Sequence, residues 1–230
     1  MATYFSGDAM RFLRGLKRNN DRVWFEARRD VFEKELKEPM LRLIGEVNEA
    51  MAEFAPMHVR PPQKIMMRIY RDIRFSKNKQ PYKTHVSAWW VRDGLQKTSG
   101  AGFYFHVSPE EVVIAAGAYM PEREQLLAIR RYLAEHHREF VAAMKAKNLR
   151  SLMPDSDGAP LTRAPKGFPE DHPAIELLKN KQWAVSARLP GERATKATLV
   201  KDVVERFRAA APMVALLNAP LVGKPKRPMF

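Results

Sequence analysis

The sequence predicts an α+β fold, in which helices from both ends of the chain pack on a central antiparallel sheet of about four to five strands. Apolar residues recur at helical spacing from residue 6 to 54 and again from residue 121. The stretch between them is rich in β-branched and aromatic residues, and Asp93-Gly94 and Ser108-Pro109 supply turn signals within it. Helices that flank a run of strands, instead of alternating with them, are typical of α+β folds.

Local signals give each predicted element its limits. Ser6 is a capping residue for the first helix, Asn20 or Asp21 for the second, and Pro39 suits the first turn of the third. The predicted helices span residues 6–20, 21–37, 39–54 and 121–147, with a short helix from 171 and a last helix from 195. The predicted strands span residues 64–75, 84–92, 101–108, 111–120 and 182–189, and a loop rich in Pro and Gly joins residues 154 and 169.

Length and composition suggest one domain and a reducing compartment. We expect residues 1–220 to form a single α+β domain and residues 221–230 to form a basic, mobile tail. The chain contains no cysteine, which excludes disulfide bonds, thiol catalysis and cysteine-ligated metals. The first residues lack the apolar core of a secretory signal, and the longest apolar run, VVIAAGAYM, is too short to span a bilayer. A cytoplasmic protein that does not enter membranes is therefore expected.

Positive charge is concentrated in one part of the chain. The formal net charge is +14, and residues 61–100 carry nine basic and two acidic side chains, a net charge of +7. Residues 1–60 and 101–150 each carry a net charge of only +1, which is typical of solvated helix faces. The central excess predicts a focused site for an anion, in addition to the general attraction of polyanions to a basic protein.

The basic segment, which we define as residues 68–85 (RIYRDIRFSKNKQPYKTH), contains six Lys or Arg side chains and one acid. If residues 66–75 form a strand, successive side chains alternate between two faces. The apolar face is then expected to carry Met67, Ile69, Ile73 and Phe75, interrupted only by Arg71, and the polar face Arg68, Tyr70, Asp72 and Arg74. One carboxylate cannot neutralise two guanidinium groups, and the planar fork of Arg matches the oxygens of a carboxylate or phosphate.

The turn that follows adds point charges and backbone donors. Ser76 and Pro81 indicate a turn, in which successive N–H groups can form a concavity suited to an anion. The residues predicted to bind the anion are Arg68, Tyr70, Arg71, Arg74, Ser76, Lys77, Lys79, Tyr82 and Lys83. His85, Tyr104 and His106 are expected to line the same face if the strands pair in chain order.

Several interpretations of the basic segment stay open. Its cations can instead form a structural ion-pair network with the acidic stretch EKELKE, residues 33–38. As a binding site, it suits a small phosphorylated or carboxylated ligand in a cleft, or a nucleic acid on a longer basic surface with stacking aromatics. An enzyme acting on a phosphorylated or acidic metabolite would use Asp72 and His85 as catalytic candidates for acid and base. A basic face that docks an acidic partner protein is the fourth interpretation.

The sequence identifies no cofactor and no oligomeric state. The six histidines lack the H-E-x-x-H spacing of a zinc site, so that no metal site is predicted. Phosphate loops, dinucleotide fingerprints and nucleophile elbows are also missing from the sequence.

Four blocks follow one another along the chain: FLRGLKRNNDRVWFEARRDVFEKELKEP, RIYRDIRFSKNKQPYKTH, GFYFHVSPEE and APKGFPEDHPAIELLKNK. In this combination the chain, from about residue 5 to 215, resembles a widespread family of bacterial and fungal proteins known as a conserved domain of unknown function. The long block RIYRDxRFSKxKxPYKTH is its most specific mark. The resemblance implies a single α+β domain and supplies no activity, substrate or cofactor. Such proteins usually carry an acid at the position of Asn78, which implies one more positive charge in this loop than in its relatives.

Overall fold

The computed structural model describes residues 3–95 and 100–222. Helices pack on a five-stranded antiparallel sheet, which confirms the predicted α+β class. The helices are α1 (Gly7–Arg18), α2 (Arg22–Glu26), α3 (Arg29–Phe32), α4 (Glu38–Phe54), α5 (Pro62–Ile65), α6 (Arg123–Lys145), α7 (Lys147–Leu152), α8 (Ile175–Leu178) and α9 (Leu199–Asn218). A π-helical turn spans Glu33–Lys37, and 3₁₀ turns span Pro56–His58, Gly191–Thr195 and Ala219–Leu221. The strands are β1 (Val86–Val91), β2 (Gly102–Val107), β3 (Glu111–Ala118), β4 (Asp155–Asp157) and β5 (Trp183–Pro190), in the order β1-β2-β3-β5-β4.

The chain divides into two compact units. Unit 1 consists of Met1–Trp90, Tyr104–Ile114 and Arg188–Glu205, and unit 2 of Val91–Phe103, Ala115–Ala187 and Arg206–Phe230. The single domain over residues 1–220 stays a prediction. The predicted mobile tail lies outside the described residues from position 223 onward.

The core of unit 1 follows from the alternation of side chains along β1. Val86, Ala88 and Trp90 are buried on one face of the strand. The indole Nε1–H of Trp90 donates to Asn48 Oδ1 of α4 at 2.9 Å, and Asn48 Nδ2 donates to the carbonyl of Arg60 at 2.8 Å. This buried amide satisfies polar groups that would otherwise destabilise the packing of α4 on the sheet.

In unit 2, strand β2 packs on helix α9, and strand β3 packs closely against strand β5. The rings of Phe103 and Phe207 lie 5.0 Å apart between β2 and α9. At Gly117, where φ is +129°, β3 approaches β5 so closely that a Cβ would lie 2.1 Å from the carbonyl oxygen of Trp183. Only glycine fits both this backbone conformation and this spacing.

The prediction of a strand over residues 64–75 is wrong. Only single antiparallel bridges join Met66 to Ala88 and Tyr70 to Tyr82. Pro81 explains the interruption in physical terms, because its nitrogen carries no hydrogen and cannot donate to a ladder. Phe75, expected on the buried apolar face, is 96% exposed, so this part of the predicted alternation is wrong too.

The remaining elements differ from the predictions mainly at their ends. The predicted second helix is broken into α2 and α3, with the Asp21 carboxylate as the cap that accepts from the Trp24 backbone N–H at 2.9 Å. Strand β4 forms inside the predicted loop, and α9 begins at Leu199 and continues past Pro212. Among the residues that the structure describes, no helix is both long enough and apolar enough to cross a membrane.

Candidate anion-binding site

The basic segment forms two extended arms closed by an irregular loop. The backbone N–H of Lys83 donates to the carbonyl of Ile69, and that of Arg71 donates to the carbonyl of Pro81, both at 2.8 Å. Residues 72–80 connect the arms, and every side chain among them is exposed or half-buried. The loop therefore presents its side chains to solvent instead of to a core.

Asn20 and an aromatic cluster fix the second arm. Asn20 Nδ2 donates to the carbonyl of Tyr82 at 3.1 Å, and the Tyr82 backbone N–H donates to Asn20 Oδ1 at 3.0 Å. The Tyr82 ring stacks on Phe25 with centroids 4.2 Å apart and is only 1% exposed. Tyr82, predicted as a ligand contact, is instead a core anchor, because a side chain so buried offers no surface to a ligand. Its burial raises the pKa of the Tyr82 phenol.

Tyr70 is held at the edge of this cluster by a residue that the sequence did not single out. The Tyr70 ring lies 5.2 Å from that of Tyr82 and is 40% exposed. Its hydroxyl accepts from Arg29 Nη2 at 3.3 Å, while Arg29 also makes two bonds, of 2.8 and 2.5 Å, to the Glu26 carboxylate. The i,i+3 spacing of Glu26 and Arg29 was the available signal for this pair, although it does not point to Tyr70.

Asp72 forms an ion pair with Arg74. The guanidinium of Arg74 donates to both Asp72 oxygens, at 3.0 and 2.8 Å, and the Arg74 backbone N–H donates at 3.2 Å. These hydrogen bonds lower the pKa of Asp72 to about 2. Asp72 therefore orients Arg74, as predicted for it, but it stays ionised near neutral pH and is a poor candidate for proton transfer.

Four further cations of the segment make no ion pair with a described residue: Arg68, Arg71, Lys77 and Lys79. Lys79 Nζ donates to the carbonyl of Ile73 at 3.0 Å, and Arg71 Nη1 donates to that of Gln80 at 3.1 Å. Hydrogen bonds to neutral carbonyls orient these side chains without neutralising them. Arg68 and Lys77 are exposed and make no ion pair with any described residue.

The acidic stretch of residues 33–38 does not supply the missing counterions. Glu33 accepts from Lys37 Nζ at 2.6 Å, and Glu35 accepts from the Ser6 hydroxyl at 2.6 Å. Both contacts are local to the N-terminal helices. The structural ion-pair network that the sequence left open as an alternative therefore lacks support from these two acids.

Two hollows of the described chain are lined by residues outside the basic segment. A groove of about 510 Å³ lies among α1, α2 and α3, with Trp24 and Arg28 in its lining. A second hollow of about 380 Å³ in unit 2 is lined by parts of α6, β4 and β5. Neither hollow is lined by a residue of the basic segment.

A second polar group lies on the sheet beside the end of the basic segment. We call it the sheet-face cluster and define it by His85, Tyr104, His106, Glu111 and Arg188. The imidazole rings of His85 and His106 stack with centroids 4.6 Å apart, and His106 Nδ1 lies 3.1 Å from the Tyr104 hydroxyl. His85, Tyr104 and His106 therefore lie together, as expected, whereas the prediction that they line the same face as the anion-binding residues stays a prediction.

Acidic and basic side chains complete the sheet-face cluster. His106 Nε2 lies 3.6 Å from Glu111 Oε1, and Glu111 Oε2 accepts from Arg188 Nη1 at 2.7 Å. The sequence did not point to Glu111 or Arg188. The pattern around Glu111 predicts only the start of a strand, and Arg188 lies far from the two histidines along the chain.

Burial sets the protonation of the two imidazoles. Desolvation, assisted by the neighbouring His106 and by the charge of Lys83, lowers the pKa of His85 to about 4, while Glu111 opposes the change. Burial also lowers the pKa of His106, against the opposing influence of Glu111. Both rings are therefore neutral near pH 7, and each has one nitrogen that can accept a proton. Among the described residues, no three His, Asp or Glu side chains are grouped to hold a metal ion.

The comparisons with known proteins identify a matching family. No curated protein and no solved structure matches the chain. The family described as conserved hypothetical protein DUF2461 matches residues 8–215, which is most of the chain and agrees with the range of the resemblance found in the sequence. That RIYRDxRFSKxKxPYKTH marks this family stays a prediction. The chain belongs to the conserved hypothetical protein family DUF2461.

Proposed function

We propose that this protein binds a phosphate-bearing polyanion, single-stranded nucleic acid, through the basic segment. The observation that carries the proposal is the exposure of an aromatic side chain among unneutralised cations. Phe75 is 96% exposed, and Arg68 and Lys77 lie in the same segment without an ion-pair partner among the described residues. A single exposed apolar side chain is ordinary on a protein surface, whereas its combination with basic side chains is the one that single-strand binding sites use.

Exposed cations suit a polyanion better than a single small anion. A chain of phosphates releases condensed counterions when Lys and Arg side chains neutralise it, so that open and well-solvated cations gain affinity. Small-molecule sites are concave, whereas residues 72–80 of the basic segment form a loop whose side chains are exposed or half-buried. The geometry therefore supports nucleic acid more strongly than the small phosphorylated ligand that the sequence also allows.

The exposed rings favour single strands over duplexes. Bases that are not paired can stack on aromatic side chains, and each such contact contributes about 1–3 kcal/mol. Phe75 lies next to Arg74, whose guanidinium is 5.8 Å from the ring centroid and is paired with Asp72, so that the ring is the group available for stacking here. In a base-paired duplex the bases stack on one another, so that they are not available to stack on Phe75.

The first experiment measures the salt dependence of binding. The full chain is titrated with fluorescent single- and double-stranded oligonucleotides between about 50 and 200 mM salt. The double change Arg68→Ala, Lys77→Ala should make the log–log salt slope about 1.4 less steep for a single strand, because two phosphate contacts are lost. The matched control is Arg163→Ala, Lys166→Ala, which removes the same charges from exposed positions in a loop of unit 2.

The second experiment separates stacking from charge. Phe75→Ala should weaken single-strand binding by about 1–3 kcal/mol, roughly 5- to 150-fold, with an unchanged salt slope. Tyr119→Ala, which removes another exposed aromatic ring, serves as the control and should have no effect. Absence of binding at low salt would refute the proposed function. Equal slopes for the two double variants would refute the assignment to the basic segment.

A further inference from the structure

The two imidazoles of the sheet-face cluster differ in their polar contacts, because His106 has a partner at each ring nitrogen and His85 has none among the described residues. His106 has the Tyr104 hydroxyl at 3.1 Å from one ring nitrogen and the Glu111 carboxylate at 3.6 Å from the other. Arg188 in turn donates to Glu111 at 2.7 Å. Both ring nitrogens of His106 therefore face partners, and this ring is fixed in place.

His85 differs from His106 in this respect. Its ring stacks on His106, with centroids 4.6 Å apart, but makes no hydrogen bond to any described residue. The residue is half-buried, so that part of the ring reaches the surface. The groups that act on its charge are His106, Lys83 and Glu111. A neutral imidazole with an unengaged nitrogen can accept a proton near pH 7, and its lowered pKa makes it a weaker base than an unperturbed imidazole.

The position of His85 relates it to the proposed nucleic-acid surface. His85 is the last residue of the basic segment, and the charge of Lys83 is close enough to influence its protonation. Lys83 is the cation of the segment whose charge acts on His85, so a bound strand would have to extend from the loop to Lys83 to bring a phosphate near the imidazole. RNA brings its own nucleophile to such a phosphate, because the ribose 2′-hydroxyl adjoins each phosphodiester, so that removal of one proton is enough to start the reaction.

We propose that His85 is the general base of an RNA-cleaving site, with His106 as the residue that positions it. This inference rests on the proposed function, since the strand must first bind to the basic segment. His85 accepts the proton of the 2′-hydroxyl, the 2′-oxygen forms a bond to phosphorus, and the bond from phosphorus to the 5′-oxygen breaks. The leaving 5′-oxygen takes a proton from water, and the imidazolium returns its proton to the solvent. The products are a 2′,3′-cyclic phosphate and a 5′-hydroxyl, and no other reactant is consumed.

The test compares matched oligonucleotides on the purified full chain. The substrates are a single-stranded RNA, the DNA of the same sequence, and that DNA with one ribonucleotide in the middle. Cleavage is expected in the RNA and only after the ribonucleotide in the mixed strand, with a cyclic phosphate at the new end. His85→Asn and His85→Gln, purified in parallel and checked for folding by circular dichroism, should lose at least about 100-fold in rate. His136→Asn, a change in a partly exposed histidine of α6, should keep the full rate.

The role of His106 needs a measurement that a loss of folding would not mimic. His106→Asn removes the stacked ring that helps to lower the pKa of His85. The acid limb of its pH–rate profile should therefore move to higher pH than that of the unchanged protein, in addition to any fall in rate. A simple structural defect would lower the rate and leave the limb where it was.

The outcomes separate this inference from the proposed function. If RNA binds and stays intact, the catalytic role of His85 is refuted and the proposed function stands. If neither RNA nor DNA binds at low salt, both fall. Cleavage that persists in the His85 variants at the rate of the unchanged protein shows a contaminating nuclease and also refutes the inference.

Discussion

Replacement of Asn20 by alanine tests how the basic segment is anchored without changing its charge. The side chain makes two hydrogen bonds, of 3.1 and 3.0 Å, to the backbone of Tyr82, whose side chain is only 1% exposed. Each such bond contributes about 0.5–1.5 kcal/mol net, so that Asn20→Ala should lower the free energy of unfolding by about 1–3 kcal/mol. For a chain of this length the melting temperature should fall by roughly 3–10 °C, measured by circular dichroism.

The neighbouring asparagine provides the control for this change. Asn19 Nδ2 donates to the carbonyl of Gly15 at 3.1 Å from an exposed position, so Asn19→Ala should alter stability by no more than about 0.5 kcal/mol. Asn20→Ala should also weaken oligonucleotide binding, because the loosened arm must be ordered on binding, with an unchanged salt slope. Equal melting temperatures for the two variants would refute the anchoring argument, and a changed slope would show that Asn20 affects the number of phosphate contacts.

Three further changes test the core and the sheet-face cluster. Tyr82→Ala should lower stability by about 3–5 kcal/mol in urea unfolding, because it empties the place of a stacked core ring; a loss below about 1 kcal/mol would contradict its burial. Gly117→Ala should cost at least roughly 2 kcal/mol, since its Cβ would lie 2.1 Å from the Trp183 carbonyl oxygen, whereas Gly45→Ala, in open space on α4, should stabilise by up to about 1 kcal/mol. Because the folded-state pKa of His85 is lowered to about 4 from 6.5, the unfolded chain binds this proton first, and stability should fall by roughly 1–3 kcal/mol as the pH drops through that window. His85→Gln should flatten that part of the pH profile, and an identical profile would show that another group titrates there.

The strands of the central sheet could be predicted because their signals are local. In β1, Val86, Ala88 and Trp90 alternate with side chains of the opposite face, and the structure buries these three residues. Alternation of this kind depends only on the pleat of a strand. The same reasoning placed His85 and His106 together, since consecutive antiparallel strands bring the start of the first strand beside the end of the second.

The basic segment could not be predicted to the same depth, because its form depends on distant partners. Tyr82 is polar enough to suggest a ligand contact, and only its stacking on Phe25, from α2, makes it a core residue. Arg29 reaches the Tyr70 hydroxyl from α3, and neither residue carries a signal of the other in the sequence. Contacts between residues so far apart in the chain are fixed by tertiary packing, which overrides local pattern.

The end of backbone pairing at Pro81 explains why the strand prediction failed, and it also exposes the side chains on which the proposed function depends. A regular strand over residues 66–75 would have turned Phe75 towards a core and paired the backbone of the whole segment. Because Pro81 cannot donate a hydrogen bond, the pairing with the first arm breaks off after Arg71, and the residues beyond it leave the sheet. That departure exposes Phe75 together with Lys77, whereas the arm that remains paired carries the chain back to His85 at the start of β1. The interruption therefore divides the segment into an open part suited to contact with a strand and a fixed part that positions the imidazole.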